Sequence, residues 1–360
     1  MDRDRLLAAA LPVTAIAALV GVVAAASLSS AAAGTLGFDF LSYDLAVRRF
    51  FDGGVLYDQS FDYTGAFGLF YYPPPFVLFA VPLALLDPTL AAWIWTGALV
   101  ATFAVAVAII PVPTRTRWLI LLLGGISWPL VYAIKLGQVG PILLLTFAIG
   151  WRWMDRPWRL GAATALGTAI KIQPALVFAW ALVTGRRRAV VAGLTVLGVL
   201  ALLATIVAGP SSWIDQATLL ARVSRPIDTP HNMTPGRLAF EAGLGQAAAW
   251  AIQLANWALV AVVVLVAMVR CSPVASFLAV VIATQLVSPI LWDHYALVLL
   301  LPVAWLVDRG RRWAIVIPLA TSIIFVGAIP PVVYPLAYWV TLIAVVREGW
   351  VPKAVAPATI

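Results

Sequence analysis

Apolar runs of about 18 residues or more alternate with short polar segments along most of the chain. A run of this length is typical of a membrane-crossing helix, whereas the strands of a membrane barrel are shorter and alternate in polarity. The first run, residues 6–33, is longer than the apolar core of a signal peptide, and we expect it to remain as a span. The pattern predicts an all-α integral membrane protein with a single polytopic domain over residues 1–360.

Clusters of arginine and lysine divide the apolar runs and indicate which ends face the cytoplasm. They lie at residues 3–5, 115–117, 152–159, 186–188, 270, 309–312 and 347–353. Crossing outward and back between these clusters gives about 12 transmembrane segments, with both ends cytoplasmic. Residues 73–110 hold two apolar runs split at Asp87-Pro88, and two full crossings there would place Arg115 outside. We therefore expect one of these two to be short or re-entrant.

Residues 160–185 also have to cross outward and return, in a length that suits about one span rather than two. This predicts two short helices, broken at Lys171-Ile172-Gln173-Pro174. Broken helices at membrane depth are tolerated where they line a cavity. A lysine there costs about 2.5 to 3.5 kcal/mol on insertion scales, which favours a functional role for Lys171 over a side chain that only snorkels to the interface.

The first outer loop, residues 34–72, carries five of the 15 acidic residues of the chain: Asp39, Asp44, Asp52, Asp58 and Asp62. Within it, Leu41, Leu45 and Val47 alternate with charged positions at helical spacing. This predicts a short amphipathic helix on the membrane surface that begins near Ser42 and stops at Gly53-Gly54. The second outer loop is predicted at residues 209–245.

Composition fits this assignment, since 63% of residues are hydrophobic, 11% are charged and the mean hydropathy is +1.00. The net charge of +8 comes mostly from the clusters between spans, so it indicates no nucleic-acid partner. One cysteine, Cys271, excludes an internal disulfide and a multi-cysteine metal site. No Walker, HExxH or GxSxG motif is present. We predict no cofactor and no metal, and a substrate drawn from the membrane.

The predicted outer turns gather most polar residues that are not cytoplasmic arginines, which indicates a site at the outer membrane face. Besides the acidic loop they hold Gln138, Lys171, Gln173, Asn232, Asp293 and His294. Asp39 and Asp44 are both candidates for a general base, because a carboxyl beside lipid has a raised pKa. Position alone favours Asp39 only slightly, and an ordinary helix-capping role remains open for it.

Five segments in order resemble glycosyltransferase family 87 over residues 39–302: FDFLSYDLAVRRFFDGGVLYD, YYPPPFVLFAVPLALL, LGQVGPILLL, GTAIKIQPALV and SPILWDHYALVLLLP. The resemblance implies a polytopic helical bundle of the GT-C type. It also implies a hexosyltransferase that uses a polyprenyl-phosphate sugar, with mannose as the expected sugar. Catalysis would take place on the periplasmic or exterior face of the cell membrane, and the acceptor would be a lipid or a glycan.

The resemblance also implies roles for particular residues. The acid of the first outer loop acts as the base, which matches Asp39 and leaves Asp44 as the competitor. Lys171 and Gln138 match donor-phosphate positions, and His294 matches a histidine that helps to stabilise the leaving phosphate. From their places in the outer turns we expect Gln173 at the phosphate and Tyr72, Asn232 and Asp293 at the acceptor or the sugar.

A secondary transporter or lipid flippase is the alternative, since it also needs charges and broken helices at membrane depth. Such a protein predicts two related halves, and the sequence has no internal repeat. It also leaves the acidic loop without a role. A scaffold protein is a weaker alternative, because it would not require Lys171.

Overall fold

Helices form the regular structure of the computed structural model, which describes residues 3–322 and 329–352. In chain order they are α1 (Arg3–Ala32), α2 (Phe38–Phe51), α3 (Val77–Ala84), α4 (Pro88–Ile109), α5 (Thr114–Gly125), α6 (Trp128–Leu136), α7 (Gly140–Arg152), α8 (Pro157–Ile170), α9 (Leu176–Val183), α10 (Arg187–Ala208), α11 (Ser211–Val223), α12 (Pro235–Glu241), α13 (Gln246–Arg270), α14 (Pro273–Leu286), α15 (Leu300–Asp308), α16 (Val316–Ala320) and α17 (Val333–Glu348). Short 3-10 helices are Pro74–Phe76, Gln173–Ala175, Asp293–Leu299 and Arg312–Ile315. The described part has no strand, which confirms the all-α prediction. Lys353 of the last basic cluster lies outside it.

Four helices of the described residues are long and apolar enough to cross a membrane: Ala10–Ala32, Pro88–Ile109, Arg187–Ala208 and Gln246–Arg270. A fifth candidate is the pair Thr114–Gly125 and Trp128–Leu136, which is bent by 59°. Other apolar helices are shorter than the bilayer requires of a single straight span. The chain is therefore a multi-pass membrane protein, and the count of twelve stays a prediction.

Residues 73–110 form one short and one long helix, as the charge pattern required. α3 has 8 residues and α4 has 22, with Asp87 capping α4 through bonds from the backbone N–H groups of Thr89 and Leu90. Next to the start of α4, Leu86 O accepts a bond from Arg48, and at its end Ile109 O accepts one from Arg152. The acidic loop and the basic cluster at residues 152–159 therefore lie at opposite ends of α4.

The predicted break at Lys171 is present, with α8 ending at Ile170 and a 3-10 turn leading into the 8-residue α9. α8 packs closely along α10 through two glycines. A Cβ on Gly161 would meet Ala189 O at 2.3 Å, and one on Gly193 would meet Gly161 O at 2.8 Å. The tight packing of α8 holds one side of the break in a fixed place.

The helix of the first outer loop begins earlier than predicted, at Phe38 rather than near Ser42. Gly37 caps it in the left-handed conformation (φ 72°), and its N–H donates to Lys135 O at 2.8 Å. This bond fixes the helix start against the end of α6. Of the predicted apolar positions, Val47 is buried but Leu45 is 42% exposed. Phe40, Tyr43 and Ala46 complete the buried face.

The second outer segment is also partly helical, since residues 209–245 contain α11 and α12. It contacts the first loop at several points. Arg222 donates to Gln59 O, Gln59 donates to Asp215 O at 2.9 Å, and Thr64 donates to Val223 O at 2.8 Å. The two outer segments therefore form one joined layer at the end of the bundle that holds Asp39.

Candidate active site

Asp39 lies in the first turn of α2, where the glycine cap at position 37 brings the helix against the α6–α7 turn. The turn itself is fixed by Gly137, which has φ 75° and whose carbonyl accepts a bond from Trp95 Nε1 at 2.8 Å. As a result Gln138 Nε2 donates directly to Asp39 Oδ2. Two segments that are about a hundred residues apart in sequence thus meet at one carboxylate.

A chain of hydrogen bonds continues from this pair into the interior. Tyr72 Oη donates to Gln138 Oε1 at 3.0 Å, and the hydroxyls of Tyr43 and Tyr72 are 2.8 Å apart. Tyr57 Oη donates to the backbone carbonyl of Tyr72 at 2.7 Å. The Tyr72 hydroxyl is used inside the protein, while Tyr72 also lines the cavity that contains Lys171, so its contact with the acceptor or sugar stays a prediction.

Asp39 is half-buried because one side of its carboxyl faces a cavity while protein surrounds the rest. Burial raises the pKa of Asp39 above its usual value. The bond from Gln138 and the nearby positive charges of His294 and Lys171 act in the opposite direction, and burial is the larger effect. Such a carboxyl takes up a proton more readily than an exposed aspartate does.

Lys171 occupies the helix break in an extended conformation and is 7% exposed. Its Nζ lies 3.7 Å from the centre of the Tyr295 ring, which is a cation–π contact. Among the described residues, it is the only charged one that lines a cavity of about 480 Å³, whose other walls are mainly apolar. Gln173 lines the same cavity, where its Nε2 donates to Ser288 Oγ at 3.1 Å and its buried Oε1 has no partner among the described residues.

Asp293 and His294 begin the 3-10 helix after α14. Asp293 Oδ2 accepts a bond from Trp128 Nε1 at 2.5 Å, and its Oδ1 accepts one from the backbone N–H of His294 at 2.8 Å. The imidazole of His294 is buried, and its Nδ1 lies 3.5 Å from Asp293 Oδ1, beyond a good hydrogen bond. Its Nε2 has no hydrogen-bond partner among the described residues, so this atom is available to a bound substrate.

The cavity beside Lys171, with its mainly apolar walls, is the apolar cavity. A second one, the polar cavity, has a volume of about 360 Å³ and is lined by Asp39, Asp293, His294 and His231 together with aromatic side chains. Thr64 lines both cavities. A small space of about 20 Å³ between them is lined by polar residues from four separate parts of the chain, namely Gln138, Lys171, Gln285 and His294.

Two of the predicted site residues point elsewhere. Asp44 is 4% exposed and pairs with Arg48 at 2.7 Å, about 140° around α2 from Asp39, and it lines neither cavity. Asn232 donates to Pro226 O and Pro289 O and accepts from the backbone N–H groups of Thr234 and Leu291, so its amide joins two loops. Neither side chain reaches the space where Asp39, Lys171 and His294 converge.

Sequence reasoning missed several residues of the site. Tyr295, Tyr132 and Trp292 pack against the lysine and the histidine, and aromatic residues at such positions look like ordinary membrane-interface residues. His231 also lines the polar cavity and has a left-handed backbone (φ 57°). That conformation is uncommon for a non-glycine residue, but it is invisible in a sequence.

Comparisons with known proteins agree on one family. Residues 70–289 match the model of glycosyltransferase family 87. The polyprenol-phosphate-mannose-dependent alpha-(1-2)-phosphatidylinositol mannoside mannosyltransferase of Mycobacterium tuberculosis (strain ATCC 25618 / H37Rv) is 27% identical over 283 residues. That alignment covers 70% of this chain and 66% of the relative, or about two thirds of its length. No solved structure matches the chain. Lys171 and Gln138 lie inside the matched range, and Asp39 and His294 lie outside it.

Proposed function

The chain belongs to glycosyltransferase family 87, and on this premise we propose that it is a membrane hexosyltransferase. It takes a sugar, with mannose as the proposed sugar, from a polyprenyl-phosphate donor and transfers it to a hydroxyl group of a lipid or glycan acceptor. The similar mannosyltransferase, whose name states a polyprenol-phosphate-mannose dependence, supports this choice of donor.

The observation that carries the proposal is the junction of an apolar cavity with a polar one at buried Lys171, Gln138 and His294. A polyprenyl-phosphate sugar has the same division, with an apolar tail, a charged phosphate and a polar sugar. The apolar cavity is bounded by Leu176 and Ala179 of α9 and by Leu220 of α11, so the tail lies between these two helices. The sugar then faces the cavity that holds Asp39.

The phosphate is proposed to bind between Lys171 and His294. Lys171 supplies a positive charge where water is largely excluded, and charge stabilisation is strong in such a place. His294 offers its Nε2 atom, which has no partner among the described residues. Gln173 lines the apolar cavity, where the donor is proposed to bind, and its Oε1 has no partner among the described residues. Because this oxygen accepts and does not donate, it suits a hydroxyl of the donor better than a phosphate oxygen.

The proposed reaction is a single displacement with inversion at the anomeric carbon. The acceptor hydroxyl oxygen forms the new bond to that carbon while Asp39 takes the hydroxyl proton. The bond from the carbon to the phosphate oxygen breaks, and polyprenyl phosphate leaves with the bonding electrons. The raised pKa of Asp39 suits a base that has to accept a proton near neutral pH. The Asp293 carboxylate accepts a bond from the backbone N–H of His294. It also lines the polar cavity, where the acceptor is proposed to bind.

The site is proposed to face the outside of the cytoplasmic membrane. The basic cluster at residues 152–159 lies at the far end of α4 from the acidic loop, and such clusters favour the cytoplasm. The GT-C type of bundle and the twelve spans belong to this proposal. A transporter or flippase has no comparable support, because family membership points to glycosyl transfer.

Transfer from a labelled donor tests the proposal. Membranes with and without the protein are supplied with radiolabelled polyprenyl-phosphate mannose, and lipid products are separated by thin-layer chromatography. We expect new labelled glycolipid only where the protein is present. The acceptors are the endogenous membrane lipids and added phosphatidylinositol mannosides. If all of the label remains in the donor under these conditions, the proposed function is wrong.

A further inference from the structure

The Tyr72 hydroxyl is buried beside the proposed base but does not touch it. Tyr72 is 1% exposed and is separated from Asp39 by the amide of Gln138. A hydroxyl so placed contacts neither the carboxylate nor the cavity in front of it. Its hydrogen bonds therefore reach the base only through the amide between them.

The orientation of that amide decides what Asp39 meets. A glutamine side chain presents an N–H donor on one arm and an oxygen acceptor on the other. Asp39 accepts a hydrogen bond when Nε2 faces it, and meets a repelling oxygen when Oε1 does. The ionised carboxylate favours the first orientation, and a donor on the far side of the amide reinforces it.

Tyr72 is that donor. A tyrosine hydroxyl has one proton, and the Tyr72 hydroxyl lies 3.0 Å from Gln138 Oε1 and 2.8 Å from the Tyr43 hydroxyl. If Tyr43 donates to Tyr72, the proton of Tyr72 is left for Gln138, and every member of the chain has a donor facing an acceptor. In the reversed amide the NH₂ group would face the Tyr72 hydroxyl, whose proton would turn to Tyr43, and Oε1 would face the Asp39 carboxylate. A donated bond from Tyr72 to Oε1 therefore favours the orientation that suits the carboxylate.

We propose that Tyr72 is a positioning residue that holds the Gln138 amide with its N–H toward Asp39, and thereby keeps the base ionised and aimed into the polar cavity. The role of Asp39 as a base rests on the proposed function, whereas the hydrogen bonds from Tyr72 through Gln138 to Asp39 do not depend on it. It gives Tyr72 a role different from the sugar contact that the sequence suggested.

The pKa of Asp39 follows from this arrangement in sign. Burial raises it, and the bond from Gln138 is the first effect that lowers it again. Loss of the oriented N–H therefore raises the pKa of Asp39 further. Among the described residues, the titratable groups in electrostatic contact with Asp39 are Lys171, His294, Tyr43, Tyr71, Tyr72, Tyr132 and Tyr295. Asp293, His231 and Tyr63 line the same cavity as Asp39.

Infrared titration of the purified full-length protein reports the protonation of Asp39 directly, without any substrate. The band of the protonated carboxyl is assigned by its loss in Asp39→Asn, and its midpoint is followed against pH. We expect Tyr72→Phe to raise that midpoint by about one pH unit, because a hydrogen bond to a charged group is lost. Gln138→Leu raises it at least as much.

A double variant separates a positioning role from a direct one. If Tyr72 acts only through Gln138, then Tyr72→Phe adds nothing to the shift of Gln138→Leu. Tyr57→Phe is the matched control, since it removes an equally buried tyrosine hydroxyl that bonds the backbone of Tyr72 but not Gln138. It leaves the midpoint unchanged.

Two results would overturn the proposal: a Tyr72→Phe midpoint equal to that of the unchanged protein, or shifts that add fully in the double variant. Should Tyr72→Phe not fold, Tyr43→Phe serves instead and gives a smaller upward shift, because the Tyr72 hydroxyl becomes a weaker donor. If the midpoint of Asp39 does not shift in Tyr43→Phe, the proposed role of these hydrogen bonds is wrong. Failure of the proposed function would appear elsewhere, as a lack of labelled product from the unchanged protein.

Discussion

Lys171 is the residue whose charge the proposed donor site needs most. Replacing it by methionine keeps the apolar volume but removes the charge beside the phosphate. We expect the KM for polyprenyl-phosphate mannose to rise by about tenfold or more, since charge-assisted hydrogen bonds are worth about 1.5 to 3 kcal/mol. Initial rates over a range of donor concentrations measure this change.

Lys135→Met is the matched control for Lys171. Lys135 ends α6, is half-buried and lines neither of the two cavities. Its replacement leaves the KM for the donor unchanged. Equal KM values for both variants would mean that Lys171 only reaches toward the membrane interface.

At the scale of single residues, the sequence identified the charges but not their partners. The depth of Lys171 and the acidity of the first loop were visible as departures from an apolar pattern. Asp39 and Asp44 remained hard to separate, because the difference lies in Arg48, which pairs with Asp44, and in Gln138, which comes from a distant turn. Tyr295 under the lysine depends on the same kind of distant contact.

At the scale of elements, the turn between α6 and α7 positions the start of α2. Gly137 has φ 75°, and a Cβ there would lie 2.7 Å from the Cβ of Phe40. Gly137→Ala therefore has to move α2, and with it Asp39, away from Gln138. We expect a loss of about 1 to 3 kcal/mol in the free energy of unfolding and at least a tenfold lower transfer rate.

Gly185→Ala is the control for that turn. Gly185 has a similar φ of 78°, and a Cβ there would meet no atom within 4 Å. Gly185→Ala therefore lowers the free energy of unfolding only by the cost of a left-handed alanine, about 1 to 2 kcal/mol, and transfer is retained. Thermal unfolding in detergent and transfer rates measure both variants. If Gly185→Ala lowered transfer as much as Gly137→Ala, the displacement of α2 would not explain the loss.

The elements also show where local patterns were insufficient. The broken helices at Lys171 and the short α3 followed from length and charge alone, and both are present. The start of α2 was placed too late, because a left-handed glycine bonded to Lys135 extends the helix past its apolar pattern. The contact of α11 with the first loop depends on Arg222 and Thr64, whose partners no local pattern reveals.

At the scale of the whole molecule, we expect the two ends of the helical bundle to face opposite sides of the membrane. Asp39, Gln138, Lys171 and His294 belong to the outer side and Arg187 to the cytoplasm. Exposed positions test this, so Asp62→Cys and Arg187→Cys are each made in a Cys271→Ser background. In intact cells, a membrane-impermeant thiol reagent labels the cysteine at 62 and labels that at 187 only after lysis. Labelling of both positions in intact cells would contradict the proposed topology.

The central claim is that Asp39 takes the proton of the acceptor hydroxyl, and single-turnover transfer by Asp39→Asn tests it most directly. Asparagine keeps the size and hydrogen bonds of the side chain but does not accept the proton, so turnover falls by about a hundredfold or more while donor binding persists. Asp44→Asn, on the same helix but paired with Arg48 away from the cavities, retains transfer. Full turnover by Asp39→Asn, or its loss only in Asp44→Asn, would contradict the account.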